Sequence, residues 1–309
     1  MSEPTALVIG EALTDVVYEA DGTVRSRPGG SPANVAVGLA RLGIRTALHS
    51  CLGADANGDA LRKHLEQSGV TLREGGAEPP SRTSTAEARI GPEGAATYRF
   101  DIEWNPGAIR LNPVRLVHTG SLATAIEPGA AAVESAFSAA HPGTLLSFDP
   151  NVRPSLGLPA DGIRRRVERF ADRAHVVKMS DEDLAWLYPA EPLVDVAERM
   201  HESGVALFVV TRGAQGCTLS TPHWTAEIPA IPVTVADTIG AGDAFMSGLL
   251  FAILTADADQ ELRDGAVPQQ AAESWAATAL RSAAITVGRR GAEPPFLEEL
   301  VGSSAQIRP

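Results

Sequence analysis

Residues 237–250 have the sequence DTIGAGDAFMSGLL, in which a glycine-rich turn runs directly into an apolar helix. The apolar residues Phe245, Leu249 and Ile253 recur at helical spacing, so the helix begins near the glycines. Backbone N–H groups in the first turn of a helix have no intrahelical partner, and small residues let a ligand approach them closely. Such an arrangement binds phosphate. The segment therefore predicts an anion site at Gly240, Ala241 and Gly242.

The predicted anion site also contains a carboxylate, Asp243, which would repel a bound phosphate unless it has a chemical role there. As a general base it would take a proton from a hydroxyl that attacks the phosphate. As an ordinary acid in the first turn it would only complement the helix dipole. The local pattern leaves both interpretations open.

A second glycine motif lies in RPGGSPANVAVGLARLG, residues 27–43. Gly29 and Gly30 form a turn, Ser31 can cap a helix, and the following proline can open it. Asn34 falls in the first turn, where its amide suits sugar hydroxyls. A plain capped helix explains everything except the paired glycines and Asn34.

Three further segments follow predicted strands. Asp15 ends GEALTD at residues 10–15 and can accept hydrogen bonds from two hydroxyls, or is simply a loop acid. FDPNVRP at 148–154 carries Arg153, which can meet phosphate charge, although two prolines alone would force a turn there. TRGAQGC at 211–217 could admit a nucleotide, or form a β-turn between two strands.

Short apolar runs alternate along the chain with amphipathic stretches, which predicts an α/β fold with a parallel sheet covered on both faces. In such sheets ligands bind at the carboxyl ends of the strands. The predicted strands are 6–10, 46–50, 115–120, 144–149, 174–179 and 206–210. The predicted helices are 32–42, 56–68, 127–140, 160–172, 181–187 and 192–203, besides the helix after Gly242.

Two stretches break this alternation with period-2 polarity and no attached helix. Residues 16–30 and 82–101 are each expected to form a hairpin, turning at Asp21-Gly22 and at Gly91–Gly94. Together they could form a small separate sheet, either a lid over the site or a decorative edge, and we favour the lid. We expect one domain over 1–309, with lid strands inserted at about 16–28 and 82–102.

Composition restricts the partners. The net charge of −12 repels nucleic acid and anionic membranes. No GxxxxGK[ST] motif is present, so we do not expect a P-loop protein. The N-terminus shows no signal peptide, so we expect a cytoplasmic protein. Cys51 and Cys217 lie in apolar contexts and are expected to be buried free thiols. The only two lysines are Lys63 and Lys178, which genomic base composition would explain.

Together and in this order, these segments resemble the ribokinase-like (PfkB-type) carbohydrate kinases, and among them fructokinases. The resemblance rests on GGSPANVAVGLARLG at 29–43 and DTIGAGDAF at 237–245, and it extends to VVKMSDEDL at 176–184 and TVGRRGAEPP at 286–295. It covers nearly the whole chain. It implies a three-layer α/β/α fold with a mostly parallel central sheet and a small β-sheet lid.

The resemblance also implies roles for individual residues. Asp243 would be the catalytic base, beside an anion hole of Gly240, Ala241 and Gly242. The residues implied to contact the sugar are Asp15, Gly29, Gly30 and Asn34, with Arg99 and Arg153 reaching substrate or phosphate. The residues implied to contact ATP are Ser180, Thr211, Gly213 and Gly216. The residues implied to bind a monovalent cation such as K⁺ are Asp237, Ile239, Thr286, Arg289 and Gly291.

One motif departs from the family pattern. Many relatives carry Asn-x-x-Glu where this chain has Ser180 and Asp183, so the resemblance does not identify the residue that orders the waters of Mg²⁺. The expected reaction is phosphorylation of fructose by ATP with Mg²⁺. The alternatives are 2-keto-3-deoxygluconate, with Arg99 neutralising its carboxylate, and then ribose or a nucleoside. A sugar-binding regulator without catalysis is the non-enzyme alternative. Open lid edges also predict a homodimer.

Overall fold

The computed structural model describes residues 3–18, 22–76, 79–90 and 96–302. Across these ranges the chain forms a nine-stranded sheet and a four-stranded sheet. The large sheet contains β1 (Ala6–Ile9), β4 (Thr46–Ser50), β5 (Thr71–Glu74), β8 (Leu116–Gly120), β9 (Leu145–Asp149), β10 (Val176–Ser180), β11 (Leu207–Thr211), β12 (Cys217–Ser220) and β13 (Thr225–Ile228). The small sheet contains β2 (Leu13–Tyr18), β3 (Val24–Gly29), β6 (Thr85–Ile90) and β7 (Ala96–Asp101).

The helices lie between these strands and after them. They are α1 (Ser31–Arg41), α2 (Ala56–Gln67), α3 (Gly129–Ser138), α4 (Ala160–Ala171), α5 (Asp181–Leu187), α6 (Leu193–Glu202), α7 (Ala241–Thr255), α8 (Asp259–Arg263), α9 (Gln269–Val287) and α10 (Leu297–Gly302). The six predicted strands of the large sheet and the seven predicted helices all form, with ends within one or two residues of those expected.

The large sheet is mostly parallel, as the alternation predicted. Its strand order is β13-β12-β11-β10-β9-β8-β1-β4-β5, and the strands from β11 to β5 pair in parallel. β12 and β13 add an antiparallel edge next to β11. All carboxyl ends of the parallel strands therefore meet along one edge of the sheet, where ligands bind in such folds.

Alternate residues of the central strand β1 belong to different hydrophobic cores, which shows that the sheet is covered on both faces. Ala6 and Val8 pack in the core that contains α1, α7 and α9. Leu7 and Ile9 pack in the core that contains α3, α4 and α6. The three-layer α/β/α expectation is confirmed, and the continuous apolar run of β1 follows from burial on both faces.

The two irregular stretches form the small sheet, with strand order β3-β2-β6-β7. β2 pairs antiparallel with β3, β6 pairs antiparallel with β7, and β2 joins the two hairpins by pairing in parallel with β6. Of the predicted turns, Asp21 and the segment Gly91–Gly94 lie outside the described residues, whereas Gly22 has φ +84°. β2 places Asp15 directly opposite Arg27 of β3.

The two cysteines are buried, as the sequence predicted. Cys51 and Cys217 are free and buried, and burial raises the pKa of their thiols to about 11 and about 12 respectively. Within the ranges that the structure describes, no helix has the length and apolar character needed to cross a bilayer.

Candidate active site

An open cleft of about 850 Å³ lies at the carboxyl edge of the large sheet. It brings together segments that are far apart in the chain: the ends of β10 and β11, the loop after β9, and the start of α7. The predicted residues on its wall are Arg153, Ser180, Thr211, Gly213, Gly216, Gly240, Ala241, Gly242 and Asp243. The anion-site and nucleotide-side predictions therefore converge on one cavity.

The start of α7 is shaped by a glycine that no other residue replaces easily. Gly240 has φ +75°, a left-handed conformation, and a Cβ there would lie 2.5 Å from the Cβ of Ala292. Both constraints exclude a side chain. The tight turn directs the first amides of α7 into the cleft, where they can bind an anion.

Asp243 is held in place by the first turn of α1. Its Oδ1 accepts a hydrogen bond from Ser31 Oγ at 2.6 Å, and its Oδ2 accepts one from Asn34 Nδ2 at 2.8 Å. The residue is 8% exposed. Asn34 was predicted to bind sugar hydroxyls; in the structure its amide NH₂ donates to the carboxylate, which leaves its carbonyl oxygen for a ligand.

Asp15 lies over the paired glycines. A Cβ on Gly29 would sit 2.0 Å from Asp15 Oδ2, and Gly30, with φ +100°, packs against the carbonyl of Glu11. Burial raises the pKa of Asp15 to about 6; the charge of Asp243 adds to the rise and Arg153 opposes it. Asp15 is therefore near enough to Asp243 to respond to its charge, whereas Asn34 contacts Asp243 directly from α1.

The two predicted arginines differ. Arg153 lines the cleft, and its Nη1 donates to the carbonyl oxygens of Asn151 and Val152, which orients the guanidinium from within its own loop. Arg99 lies on β7 opposite Glu87, with an exposed side chain. In the part of the chain that the structure describes, no contact joins Arg99 to Asp15 or Asp243, and its role stays a prediction.

Ser180 and Asp183 form a capping box at the start of α5. Ser180 Oγ accepts from the Asp183 amide at 2.9 Å, and Asp183 Oδ2 accepts from the Ser180 amide at 3.0 Å. Asp183 Oδ1 accepts from the Val152 amide at 2.7 Å. Both oxygens of Asp183 are therefore engaged in joining α5 to the loop that carries Arg153.

The nucleotide side of the cleft combines glycine turns with an apolar end. Gly213 has φ +51° and open space around its Cα, whereas a Cβ on Gly216 would lie 2.0 Å from the carbonyl of Ile228. Thr211 ends β11 beside them. Farther from Asp243 the wall is aliphatic, which suits the faces of a purine base. These aliphatic residues are Ile231, Val233, Val235, Leu280, Ala283 and Val287.

The predicted cation loop comes together around Asp237. Its Oδ1 accepts from the Ile239 amide at 3.0 Å and its Oδ2 from the Gly291 amide at 2.8 Å. Thr286 donates its hydroxyl back to Ser282, and the Arg289 guanidinium pairs with Glu299, so these two can offer only their carbonyl oxygens to an ion. A carboxylate with carbonyl oxygens is a suitable donor set for a hard monovalent cation.

Comparison with known proteins agrees with this geometry. Residues 4–299 match the family model described as pfkB family carbohydrate kinase. The chain belongs to the pfkB family of carbohydrate kinases. The kinase is 32% identical to a probable fructokinase-4 of Arabidopsis thaliana, over 94% of this chain and 93% of that protein.

Solved structures give the same result for the fold. The kinase matches a fructokinase of Xylella fastidiosa with bound ATP at a TM-score of 0.84 and 25% identity, over 98% and 100% of the two chains. It also matches a fructokinase double mutant of Vibrio cholerae O395, solved with fructose, ADP and potassium ion. The TM-score is 0.79 and the sequence identity 27%, over 94% of this chain and 95% of that chain. The ribokinase-like fold and the carbohydrate-kinase activity expected from the motifs are confirmed.

Sequence reasoning missed a buried ion pair of the kinase, in which the lysine lines the cleft and the carboxylate lies behind it. Lys178 Nζ lies 2.9 Å from Asp149 Oδ2, and the two side chains are 4% and 1% exposed. Burial raises the pKa of Asp149 to about 6, against the pull of Lys178, so the pair remains ionised at neutral pH. The available signal was that Lys178 is one of two lysines in an arginine-rich chain.

Glu11 was also missed. The residue is 3% exposed, and its Oε2 accepts from the Ala123 amide at 2.9 Å, which ties the 3₁₀ turn Ser121–Thr124 to the segment between β1 and β2. Burial raises the pKa of Glu11 to about 7, partly offset by hydrogen bonds from its own amide, Ser121 and Ala123. It stood in the quoted segment GEALTD, but nothing local distinguishes it from a loop acid.

Proposed function

We propose that this kinase is a fructokinase, which transfers the terminal phosphoryl group of ATP to the 6-hydroxyl of fructose and releases ADP. The observation that carries the proposal is the carboxylate of Asp243, held by Ser31 and Asn34 in the first turn of α7, where the backbone amides have no side-chain cap. The relatives named fructokinase support fructose as the sugar.

The sugar would lie between the small sheet and α1. Asp15 accepts hydrogen bonds from two sugar hydroxyls, and the carbonyl oxygen of Asn34 accepts another. Gly29 and Gly30 let the chain pass close to Asp15 and Glu11, because any side chain there would strike Asp15 or the backbone of Glu11. These contacts bring the primary hydroxyl next to Asp243 and in line with the phosphoryl group.

Transfer then needs a base and a site for negative charge. Asp243 takes the hydroxyl proton as the sugar oxygen attacks, and the amides of residues 240–243 stabilise the charge on the phosphoryl oxygens, the Ala241 amide being shared with the carbonyl of Thr238. Because these donors already face the cleft, little reorganisation is needed during the reaction. The nucleotide contacts Ser180, Thr211, Gly213 and Gly216 lie on the other side of the cleft.

Two cations complete the proposal. In the described ranges no cluster of three or more His, Cys, Asp or Glu residues is placed to hold a metal ion, so Mg²⁺ would be bound mainly by nucleotide phosphates and water. There it would neutralise phosphate charge. The donor set around Asp237 fits K⁺, the ion present in the Vibrio cholerae structure. Asp237 would hold the turn before α7 in place.

Some expectations stay predictions. The small sheet would act as a lid that excludes water from the transfer. Its edge strands β3 and β7 would support a homodimer through the lid. The single-domain organisation and the cytoplasmic location also remain proposals.

The test is ATP consumption with fructose, 2-keto-3-deoxygluconate, ribose and adenosine, together with Asp243→Asn. We expect fructose to be the best substrate. The variant should bind fructose and ATP normally but turn over about 10²–10⁴-fold more slowly, the usual scale for a lost general base. Near-normal turnover in the variant would remove Asp243 from this role. Sugar binding without turnover of any sugar in the wild type would favour a regulator.

A further inference from the structure

Lys178 has an unusual position for a lysine. It lies in the middle of β10 and is 4% exposed, yet its side chain forms part of the cleft wall. Its Nζ donates a hydrogen bond of 2.9 Å to Oδ2 of Asp149, at the end of the neighbouring strand β9. Asp149 itself is not on the cleft wall, so the lysine stands between that carboxylate and the cavity.

The tip of the lysine lies against the first turn of α7. A Cβ on Gly242 would be 3.1 Å from Lys178 Nζ, so the ammonium approaches the turn from the side of the sheet. Burial would lower the pKa of Lys178, but the carboxylates of Asp149, Asp183 and Asp243 together hold it above its usual value. A permanent positive charge is therefore buried directly beside the amides of the anion hole.

The choice of residue supports a specific role. Of the 26 basic residues, only Lys63 and Lys178 are lysines. A chain that uses arginine nearly everywhere keeps a lysine here, where the space between Asp149 and Gly242 suits a compact ammonium better than a planar guanidinium. Lys63, in contrast, is exposed on α2.

We propose that Lys178 is a further catalytic residue of this kinase, whose ammonium contacts the transferring phosphoryl group from the floor of the anion hole. Asp149 is its positioning residue. During transfer the bond from the terminal phosphorus to the bridging oxygen of ADP breaks and the bond to the sugar oxygen forms. The hydroxyl proton goes to Asp243, and Lys178 keeps its proton throughout. The inference rests on the proposed phosphoryl transfer at this cleft.

A purely structural lysine would behave differently. If Lys178 only balanced the three buried carboxylates, its removal would lower stability and would weaken ATP and ADP binding equally. If it touches the terminal phosphoryl group, its removal must weaken ATP binding more than ADP binding and must lower kcat while leaving sugar affinity intact. The difference between ATP and ADP is therefore the deciding quantity.

The first experiment is NMR spectroscopy of the wild-type protein. Because the chain has only two lysines, its labelled lysine side chains give only two signals. Protein labelled with ¹³C at lysine Cε is titrated with ADP and with ATP in the absence of sugar, and Lys63→Met assigns the exposed signal. We expect the Lys178 signal to shift more with ATP than with ADP, while the Lys63 signal stays in place. An unmoved Lys178 signal in protein that calorimetry shows to be ATP-bound overturns the inference.

The second experiment compares Lys178→Met with Lys63→Met, the same chemical change on the exposed helix. We expect Lys178→Met to lose the preference for ATP over ADP and to lower kcat about 10²–10³-fold, the scale of one lost oxyanion donor, with unchanged sugar affinity. Lys178→Arg should not restore turnover. Lys63→Met should match the wild type.

A second variant covers the case in which Lys178→Met does not fold, because it removes the charges of both Lys178 and Asp149. If Lys178→Met leaves Asp149 buried without its counter-charge and does not fold, the double variant Asp149→Asn with Lys178→Met removes that cost. Wild-type kcat and ATP preference in either folded variant overturn the role of Lys178 but leave the kinase proposal standing. A wild type that binds no ATP overturns both.

Discussion

At the scale of single residues, the proposed site depends on two carboxylates whose charges act on each other, Asp15 and Asp243. Asp243 is oriented by two hydrogen bonds from α1, whereas Asp15 is held over Gly29 on the small sheet. Their mutual repulsion and burial raise the pKa of Asp15 to about 6, with Arg153 opposing the rise. Asp15 therefore titrates just below neutral pH, where its state decides whether it can accept two hydrogen bonds.

This titration predicts a pH dependence of sugar binding. Above pH 6 Asp15 is ionised and accepts from two hydroxyls; as the pH falls through about 6, it takes up a proton and loses an acceptor. We expect fructose affinity, measured by calorimetry, to fall toward acid with a limiting slope of about tenfold per pH unit. The nearby ionisable groups are Asp243, Glu11 and Arg153.

The matched control is Asp15→Asn, which keeps the shape but cannot ionise. It should bind fructose weakly at every pH, and the acid decline should disappear. If the variant keeps the same decline as the wild type, another group near the sugar is responsible, and Asp15 does not hold the hydroxyls in its ionised form.

From sequence alone, candidate site residues can be recognised where their neighbours lie in the same segment. Gly240 and Asp243 are recognisable because a glycine turn, a carboxylate and a helix occur together within a few residues. The Asp149–Lys178 pair and the carboxylate of Glu11 are not, because their partners lie on other strands and loops. Whether two charged side chains on different strands pair with each other depends on the order of the strands in the sheet, and the sequence of a single segment does not reveal that order.

At the scale of elements, the crossing of α1 and α7 sets the distance between Asn34 and Asp243. Gly38 of α1 packs against Ser247 of α7: a Cβ on Gly38 would lie 2.2 Å from Ser247 Oγ. The second crossing, of α7 on α9, uses Gly248 against Ser282 in the same way. Small residues at both crossings keep α7 close to its neighbours, so its first turn is held from two sides.

We predict that Gly38→Ala lowers both stability and turnover, because the added methyl group pushes α1 away from α7. Overpacking of this kind costs about 1–3 kcal/mol in unfolding free energy. The shift of α1 should also weaken the hydrogen bonds to Asp243 and reduce kcat. Denaturant unfolding and steady-state kinetics measure the two effects.

Two variants make this prediction specific. Gly162→Ala places the same change on α4, where nothing lies within 4 Å of the added atom, and should be neutral or slightly stabilising. The double variant Gly38→Ala with Ser247→Gly should recover part of both losses by restoring the space. Equal losses in the single and double variants would contradict the packing explanation.

The elements themselves were largely predictable from sequence, and the exceptions have physical reasons. Strands buried on both faces can have continuous apolar runs, as in β1 with the sequence ALVI. In contrast, β5 has the sequence TLRE with exposed ends, so it lacks that signal. α9 is rich in alanine and serine, which give little contrast between its faces, and it was missed although it packs along α7.

At the scale of the whole molecule, the two carboxylates belong to different sheets. Asp15 lies on β2 of the small sheet, and Asp243 lies at the carboxyl edge of the large sheet. The connections between the sheets are short: β2 starts four residues after β1 ends, and β3 ends at Gly29, followed directly by Gly30 with φ +100° and then α1. A rotation of the small sheet about these connections would change the distance between the carboxylates.

We therefore predict that sugar and nucleotide together close the small sheet over the cleft. In the proposed function Asp15 would bind the sugar from the small sheet, and Asp243 and the α7 amides would bind the reacting groups from the other side, so a bound sugar would join the two. Hydrogen exchange in β2 and β3 should slow with fructose plus a non-hydrolysable ATP analogue, more than with either ligand alone. Asp15→Asn should bind the analogue but show no added protection from fructose. Sugar binding that leaves exchange in both strands unchanged would mean that the small sheet is a fixed wall, and water would then have to be excluded by the large sheet and the ligands alone.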